Sequence, residues 1–314
     1  MNTVEYNVLC CGFSPCVQRI VEFSSFEKGA VNRAVRTTIG VGGKGANVAR
    51  MIRGLGEDPL LLGFAGGANG RMLERMLDAE GVRCFHVETV GETRICQTLS
   101  ATNDPEPTEL VEEMPAVRAG EWERMLERLS EVMNRDVEWV AMAGKLPAGL
   151  PADAYARVAE MAADRKAEVV IDASGEALIA ALKFRPLLAK MNAEELALTL
   201  GTDDPVAGAE ELLARGARSV LITRGAKSAF YVDAAGTSEW FPPRIEAVNP
   251  VGSGDAVTAG FVTASLRGAP VEEALRFGMA CGAANALERV SGRFDLSDAE
   301  RLRDEVRIER RDGA

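Results

Sequence analysis

The chain has 314 residues, enough for one large α/β domain or two small ones. Its 36 basic and 47 acidic side chains leave a net charge of −11, which argues against a general binder of nucleic acid or of anionic membrane, although a local Lys/Arg cluster could still hold a small anion. One histidine and six cysteines with no C-x-x-C pair argue against a zinc site and against Ser-His-Asp or Cys-His catalysis, so proton transfer falls to a carboxylate or a lysine.

The opening stretch MNTVEYNVLCCGF has no basic start, apolar core and cleavage site, and no apolar run is long enough to span a bilayer. A reduced, cytoplasmic protein is expected. Residues 6–13 read as a buried strand. Residues 16–38 and 92–113 alternate polar and apolar side chains, with the turn cluster NDPEP inside the second. These two segments are expected to form a small antiparallel β-strand lid. Between them come a helix at 45–55, a strand at 59–64 and a helix at 69–80. VRCFHVE then alternates like a strand and is expected to carry His86 on its surface. Further on, helices are expected at 119–134, 151–165, 204–215, 254–267 and 270–290, and buried strands at 137–143, 167–173 and 218–223. Buried strands separated by helices imply an α/β fold, a mostly parallel central sheet with helices on both faces. Ligands bind such sheets beyond the carboxyl ends of the strands. No linker, low-complexity tract or repeat divides the chain, so one domain over 1–314 with an inserted lid is expected.

Two glycine clusters stand out. IGVGGKGANVAR contains Gly40-x-Gly42-x-x-Gly45, formally a dinucleotide fingerprint. It follows the lid segment rather than the first strand, and Glu57 and Asp58 come too soon for the acidic partner of an NAD site. Either it is a tight turn before a helix, or its glycines bring backbone close to a ligand, with Lys44 supplying charge and Asn47 an amide. The second cluster, NPVGSGDAVTAGF, puts Gly252, Ser253, Gly254 and Asp255 before a very apolar helix. One reading is a turn with Asp255 as helix cap. The other is chemical: a carboxylate buried at a helix start is unfavourable unless it has work to do. There the amides of 252–255 would stabilise charge on a transferring phosphoryl group, and Asp255 would take a proton from the attacking hydroxyl.

GGKGANVAR followed by NPVGSGDAVTAGF resembles the paired signatures of the PfkB-type carbohydrate kinases, the ribokinase-like fold. GETRICQ, NPVGSGD and ANALERVSG are similar to the tagatose-6-phosphate kinase and 1-phosphofructokinase branch. The resemblance runs from about residue 6 to about residue 300. It implies that Asp255 is the catalytic base and that Gly252, Ser253 and Gly254 form the anion hole. It further implies that Gly42, Gly43, Lys44 and Asn47 bind the sugar and that Arg94 grips its phosphate. Asn192 and Glu195 would organise Mg2+ and the nucleotide phosphates through water, although N-x-x-E before a helix is equally a capping box. Thr223 and Gly225 would touch the nucleotide. ATP is the implied donor, and a monovalent cation sits near the anion hole in some relatives.

The sequence also departs from that pattern. Where the family has Asn-Pro-x-x-Asp after its first strand, this chain has Ser14-Pro15-Cys16-Val17-Gln18, and Lys145 stands where a serine is usual. Met191 replaces a proline and Ser228 a glycine. Losing an Asp and gaining a Lys moves the acceptor pocket about two charges toward positive. Lys44, Arg94 and Lys145 are then expected to converge on an anionic acceptor, most simply a ketohexose phosphate. A non-catalytic phosphosugar-binding protein, a kinase for a neutral sugar and an NAD-dependent oxidoreductase are the alternatives. A homodimer through the lid is the expected assembly.

Overall fold

The structure, a computed structural model, describes residues 6–311. The first apolar run forms β1 (Val8–Cys11), with all four residues buried. The chain then leaves the main layer for a hairpin, β2 (Cys16–Phe23) and β3 (Arg36–Gly42). It returns through α1 (Lys44–Gly54), β4 (Pro59–Ala65), α2 (Gly67–Ala79) and β5 (Arg83–Glu88). A second hairpin, β6 (Ile95–Ala101) and β7 (Asp104–Val111), departs in the same way. Strands and helices then alternate: α3 (Ala119–Met133), β8 (Trp139–Ala143), α4 (Ala154–Asp164), β9 (Glu168–Asp172), α5 (Gly175–Ala181) and β10 (Leu188–Asn192). After α6 (Ala193–Leu200), α7 (Pro205–Ala214) and β11 (Ser219–Thr223) comes the hairpin β12 (Ala229–Asp233) and β13 (Gly236–Phe241). Helices α8 (Ser253–Leu266), α9 (Val271–Ala286) and α10 (Leu296–Arg303), with the edge strand β14 (Arg307–Arg311), complete the described chain.

Ten strands form the main sheet in the order β14-β13-β12-β11-β10-β9-β8-β1-β4-β5. From β11 to β5 every pairing is parallel, and β12 to β14 extend one edge antiparallel. Alternation along β1 separates two cores. Val8 and Cys10 pack with residues of α1, α8 and α9, whereas Leu9 and Cys11 pack with residues of α3, α4 and α7 on the other face. This is the ribokinase-like α/β layering, and it places the carboxyl ends of β1, β8, β9, β10 and β11 along one rim. Phe261 on α8 is fully buried, which contributes about 2–3 kcal/mol and fixes the helix whose first turn faces that rim.

The segments near 16–38 and 92–113 pair in a second, four-stranded sheet, β3-β2-β6-β7. Its central pair corrects the expectation of a wholly antiparallel layer: β2 and β6 run parallel, because each is the outgoing strand of its own hairpin. Strand β5 forms where alternation predicts, but His86 is not a surface side chain. Its imidazole is 1% exposed, and Nδ1 lies 3.4 Å from Glu74 Oε1 on α2, which covers that face of the strand. Helix α9 ends at Ala286, short of the expected 290. The Asn285 side chain donates to Val251 O and accepts from Gly292 N, turning the chain back toward the start of α8. Among the described residues no helix is long and apolar enough to cross a membrane.

Candidate active site

The two glycine clusters meet at the rim. Helix α1 starts directly against the end of β1: a Cβ on Gly45 would lie 2.3 Å from Gly12 Cα, so only hydrogen fits. Helix α8 starts after Gly252, whose φ of +84° lies in the left-handed region that glycine adopts without strain. These two starts bring Asn47 and Asp255 together. Asn47 Nδ2 donates to Asp255 Oδ2 at 2.9 Å, and Asp255 is 5% exposed. The Ser253 amide donates to Pro250 O at 3.1 Å. Among the described residues the amides of Gly252, Gly254 and Asp255 have no backbone acceptor, as expected for a first helical turn. The free donors at this turn are therefore 252, 254 and 255, while the Ser253 hydroxyl takes a 3.4 Å contact from Asn285 Nδ2.

Beneath this turn lies a chain of buried charges. Asp172, at the end of β9, is fully buried and accepts from Lys44 Nζ at 3.0 Å and from Lys190 Nζ at 2.5 Å. Thr258 Oγ1 donates to the same carboxylate at 3.3 Å. Lys44 Nζ also pairs with Glu195 Oε1 at 2.5 Å. Lys190 itself sits under the anion turn, where a Cβ on Gly254 would lie 3.2 Å from its Nζ. Burial alone would raise the Asp172 carboxyl, but Lys190 and Lys44 outweigh it and hold it at about 2. Among the described residues Asp255 has no such ion pair. Burial, and then the charge of Asp172, push it up to about 7, against the pull of Lys44, the Asn47 hydrogen bond and Lys190.

Lys44, Arg94 and Lys145, the residues expected on the acceptor side, line one cavity of about 280 Å³ with Gly43, Gly144 and Glu195. The three cations do converge, but their charge is not all free. Lys44 is held by two carboxylates, and Lys145 Nζ lies 3.5 Å from Glu113 Oε1 in a pair where both side chains are 80% exposed. The simple count of two extra positive charges omitted these acids. Arg94 is fixed by its donations to Glu112 O at 3.0 Å and Ser14 O at 2.9 Å, and its buried Nε has no partner among the described residues. Gln18 Nε2 donates to Thr98 Oγ1 at 2.9 Å, and Gly42 packs against Cys16 and Gln18.

A larger cleft of about 1320 Å³ continues from this cavity past Asp255. Asn192 and Glu195 form a complete capping box at the start of α6: Asn192 Oδ1 accepts from Glu195 N at 2.8 Å and Glu195 Oε2 from Asn192 N at 3.0 Å. Glu195 turns its other oxygen to Lys44, so one residue serves helix and site. Thr223 ends β11 and Gly225 follows in the turn, both lining the cleft. The far wall is apolar, built by Pro243, Ile245, Val257, Met279, Ala283 and Ala286.

The description "pfkB family carbohydrate kinase" matches residues 12–296. The chain belongs to the pfkB family of carbohydrate kinases. It is a phosphotransferase acting on carbohydrate. Among curated proteins it is similar to the 1-phosphofructokinase of Bacillus subtilis, 32% identical over 95% of this chain and 97% of that one. The D-tagatose-1-phosphate kinase of Bacillus licheniformis is 30% identical over 96% and 99%. Among solved structures, phosphofructokinase-2 from Escherichia coli in complex with potassium superposes with a TM-score of 0.86, at 25% identity over 96% of this chain and 99% of that chain.

Sequence reasoning missed three parts of this kinase's site. Asp172 and Lys190 carry no glycine signal and sit at or near the ends of short apolar strands. The only cue was a charge inside an otherwise buried run, as in VVID and LAKMN. The apolar wall comes from three separate stretches, none with a motif.

Proposed function

We propose that this carbohydrate kinase transfers the γ-phosphoryl group of ATP to a hydroxyl of a ketohexose phosphate, such as tagatose 6-phosphate, fructose 6-phosphate or fructose 1-phosphate, giving a bisphosphate. The observation that carries the reading is Asp255: a buried carboxylate near 7, beside three free amides, lining the larger cleft that shares Gly43, Lys44, Arg94 and Glu195 with the smaller cavity. A base poised near the working pH accepts a proton efficiently while still being half ionised. In this reading the acceptor hydroxyl lies against Asp255, which takes its proton as the oxygen attacks the γ-phosphorus in line. The amides of Gly252, Gly254 and Asp255, with Lys190 below them, hold the charge on the transferring group. The Ser253 hydroxyl completes that turn.

Arg94, Lys145 and the loop Gly42–Lys44 face the acceptor's phosphate, and Gln18 and Asn47 face its hydroxyls. Asn192, Thr223 and Gly225 face the nucleotide phosphates, with the base against the apolar wall. The oxygen donors Asn192 and Glu195, both open to the cleft, fit Mg2+, which keeps several waters and is bound chiefly through substrate phosphates. Held there through water, Mg2+ would neutralise the phosphate oxygens. A monovalent cation would belong beside the 252–254 turn, and no side chain is assigned to it.

The second sheet acts as a lid on the single domain, excluding water during transfer. Exposed Val31, Val35 and Ile39 on its hairpin support a homodimer formed through it. Six cysteines, all free, support a reducing cytoplasmic setting. An ADP-release assay over phosphorylated and neutral sugars tests the reading. Turnover is expected with a ketohexose phosphate; a clear preference for a neutral sugar, or ligand binding without ADP release, overturns it.

A further inference from the structure

The second sheet presents a row of polar side chains to the larger cleft, which Arg94 lines together with the smaller cavity. Strand register sets Gln18 opposite Cys96 and Thr98 opposite Glu109, so side chains from β2, β6 and β7 share one face. The row is hydrogen-bonded across the strands: Gln18 Nε2 donates to Thr98 Oγ1 at 2.9 Å, and Thr98 Oγ1 to Glu109 Oε1 at 3.5 Å. Gln18, Cys96 and Glu109 all line the cleft. The cleft's other carboxylates have different attachments. Asp172 and Glu195 are ion-paired, Asp255 is the proposed base, and Glu194 lies on α6 at the nucleotide side. Glu109 is thus the carboxylate that the second sheet brings to the cleft. Its second oxygen has no hydrogen-bond partner among the described residues.

A sugar needs such a group. Vicinal hydroxyls are held most strongly by an ionised carboxylate, through hydrogen bonds about twice as strong as neutral ones. Gln18 can donate and accept but carries no charge. We propose that Glu109 binds the acceptor sugar's hydroxyls, with Thr98 and Gln18 orienting it. The inference rests on the kinase reading above. It explains how a pocket with Arg94 and Lys145 at one end discriminates a sugar phosphate from inorganic phosphate: cations take the phosphate, Glu109 the polyol.

The test is steady-state kinetics of Glu109→Gln with the ketohexose phosphate that the wild-type enzyme uses. KM for that sugar is expected to rise about 10- to 100-fold, the value of one hydrogen bond to a charged group, with KM for ATP unchanged. The double variant E109Q/Q18D, which returns a carboxylate to the other end of the row, is expected to recover much of the loss. A sugar KM within twofold of wild type in E109Q, or equal rises in both KM values, overturns the inference while leaving the kinase reading intact. A wild-type enzyme inert toward every phosphosugar overturns the kinase reading instead.

Discussion

Asn47 on α1 donates a hydrogen bond to Asp255 on α8 across 2.9 Å, joining residues 208 positions apart. The bond favours the ionised carboxylate, but burial and the negative charge of Asp172 outweigh it. Asp255 is therefore a source of instability as well as the proposed base, and the two roles separate experimentally.

The stability effect has a definite sign. The folded-state value near 7 lies above the ordinary aspartate value of about 4, so the native state binds the proton more tightly than the unfolded chain. Stability is then lost as pH rises from about 4 to about 7. Asp255→Asn removes the buried charge and is expected to be more stable than wild type at pH 8 by about 1–4 kcal/mol, with the difference vanishing below pH ~4. Urea titrations at the two pH values measure it, and equal midpoints at pH 8 would contradict the assigned environment.

Asp172 behaves oppositely. Its carboxyl is held low, so its contribution is present above the ordinary aspartate range and fades only as pH falls toward about 2. Asp172→Asn leaves Lys190, itself 2% exposed, without its anion. A loss of about 3–5 kcal/mol is expected in urea unfolding at pH 7, the scale of breaking a buried pair from one side. A change below about 1 kcal/mol would mean that water reaches these charges.

Arg94→Ala should act on binding rather than on turnover. The guanidinium is held by two carbonyls and lines the cavity with Lys44 and Lys145, and in the proposed reading its remaining donors meet a phosphate. KM for the sugar phosphate is expected to rise about 10- to 100-fold with kcat little changed. A fall in kcat at unchanged KM would move Arg94 into the transfer step.

The cysteines should differ sharply in reactivity. Cys96 lines the cleft, and its thiol is held below the ordinary range by the neighbouring Cys16 thiol and by the charge of Arg94. Burial pushes the thiols of Cys10, Cys11 and Cys281 far up. Iodoacetamide followed by peptide mass spectrometry is expected to label Cys96 first, and bound sugar phosphate to slow that labelling. Labelling of Cys10 or Cys281 ahead of Cys96 would contradict this ordering.

The parts of the site legible in sequence are those where local preference conflicts with context. Gly-Ser-Gly-Asp before an apolar helix is such a conflict, and it located Asp255 and its amides. Asp172, Lys190 and Glu109 follow ordinary local rules: two sit in short strands, and one lies on a hairpin among other acids. Their meaning arises only when β9, β10 and β7 are placed beside α1, α8 and β2. For the same reason the charge of Lys44 read as free, since its partners Asp172 and Glu195 lie 128 and 151 residues away. Among the elements, the long amphipathic helices and the buried strands β1, β4, β8, β9 and β11 were readable, whereas the antiparallel strands β12 to β14 were not. Strand β10 was not, because the buried Lys190 interrupts its apolar run, and neither were the short α5, α6 and α10.

The central claim is that Asp255 removes the acceptor's proton while the amides of its helix turn hold the transferring charge. Turnover of Asp255→Asn, measured as ADP release at saturating ATP and ketohexose phosphate with binding of both confirmed by calorimetry, tests it most directly. A fall of about 10²-fold or more with both ligands still bound is the expected result. Turnover close to wild type would contradict the account.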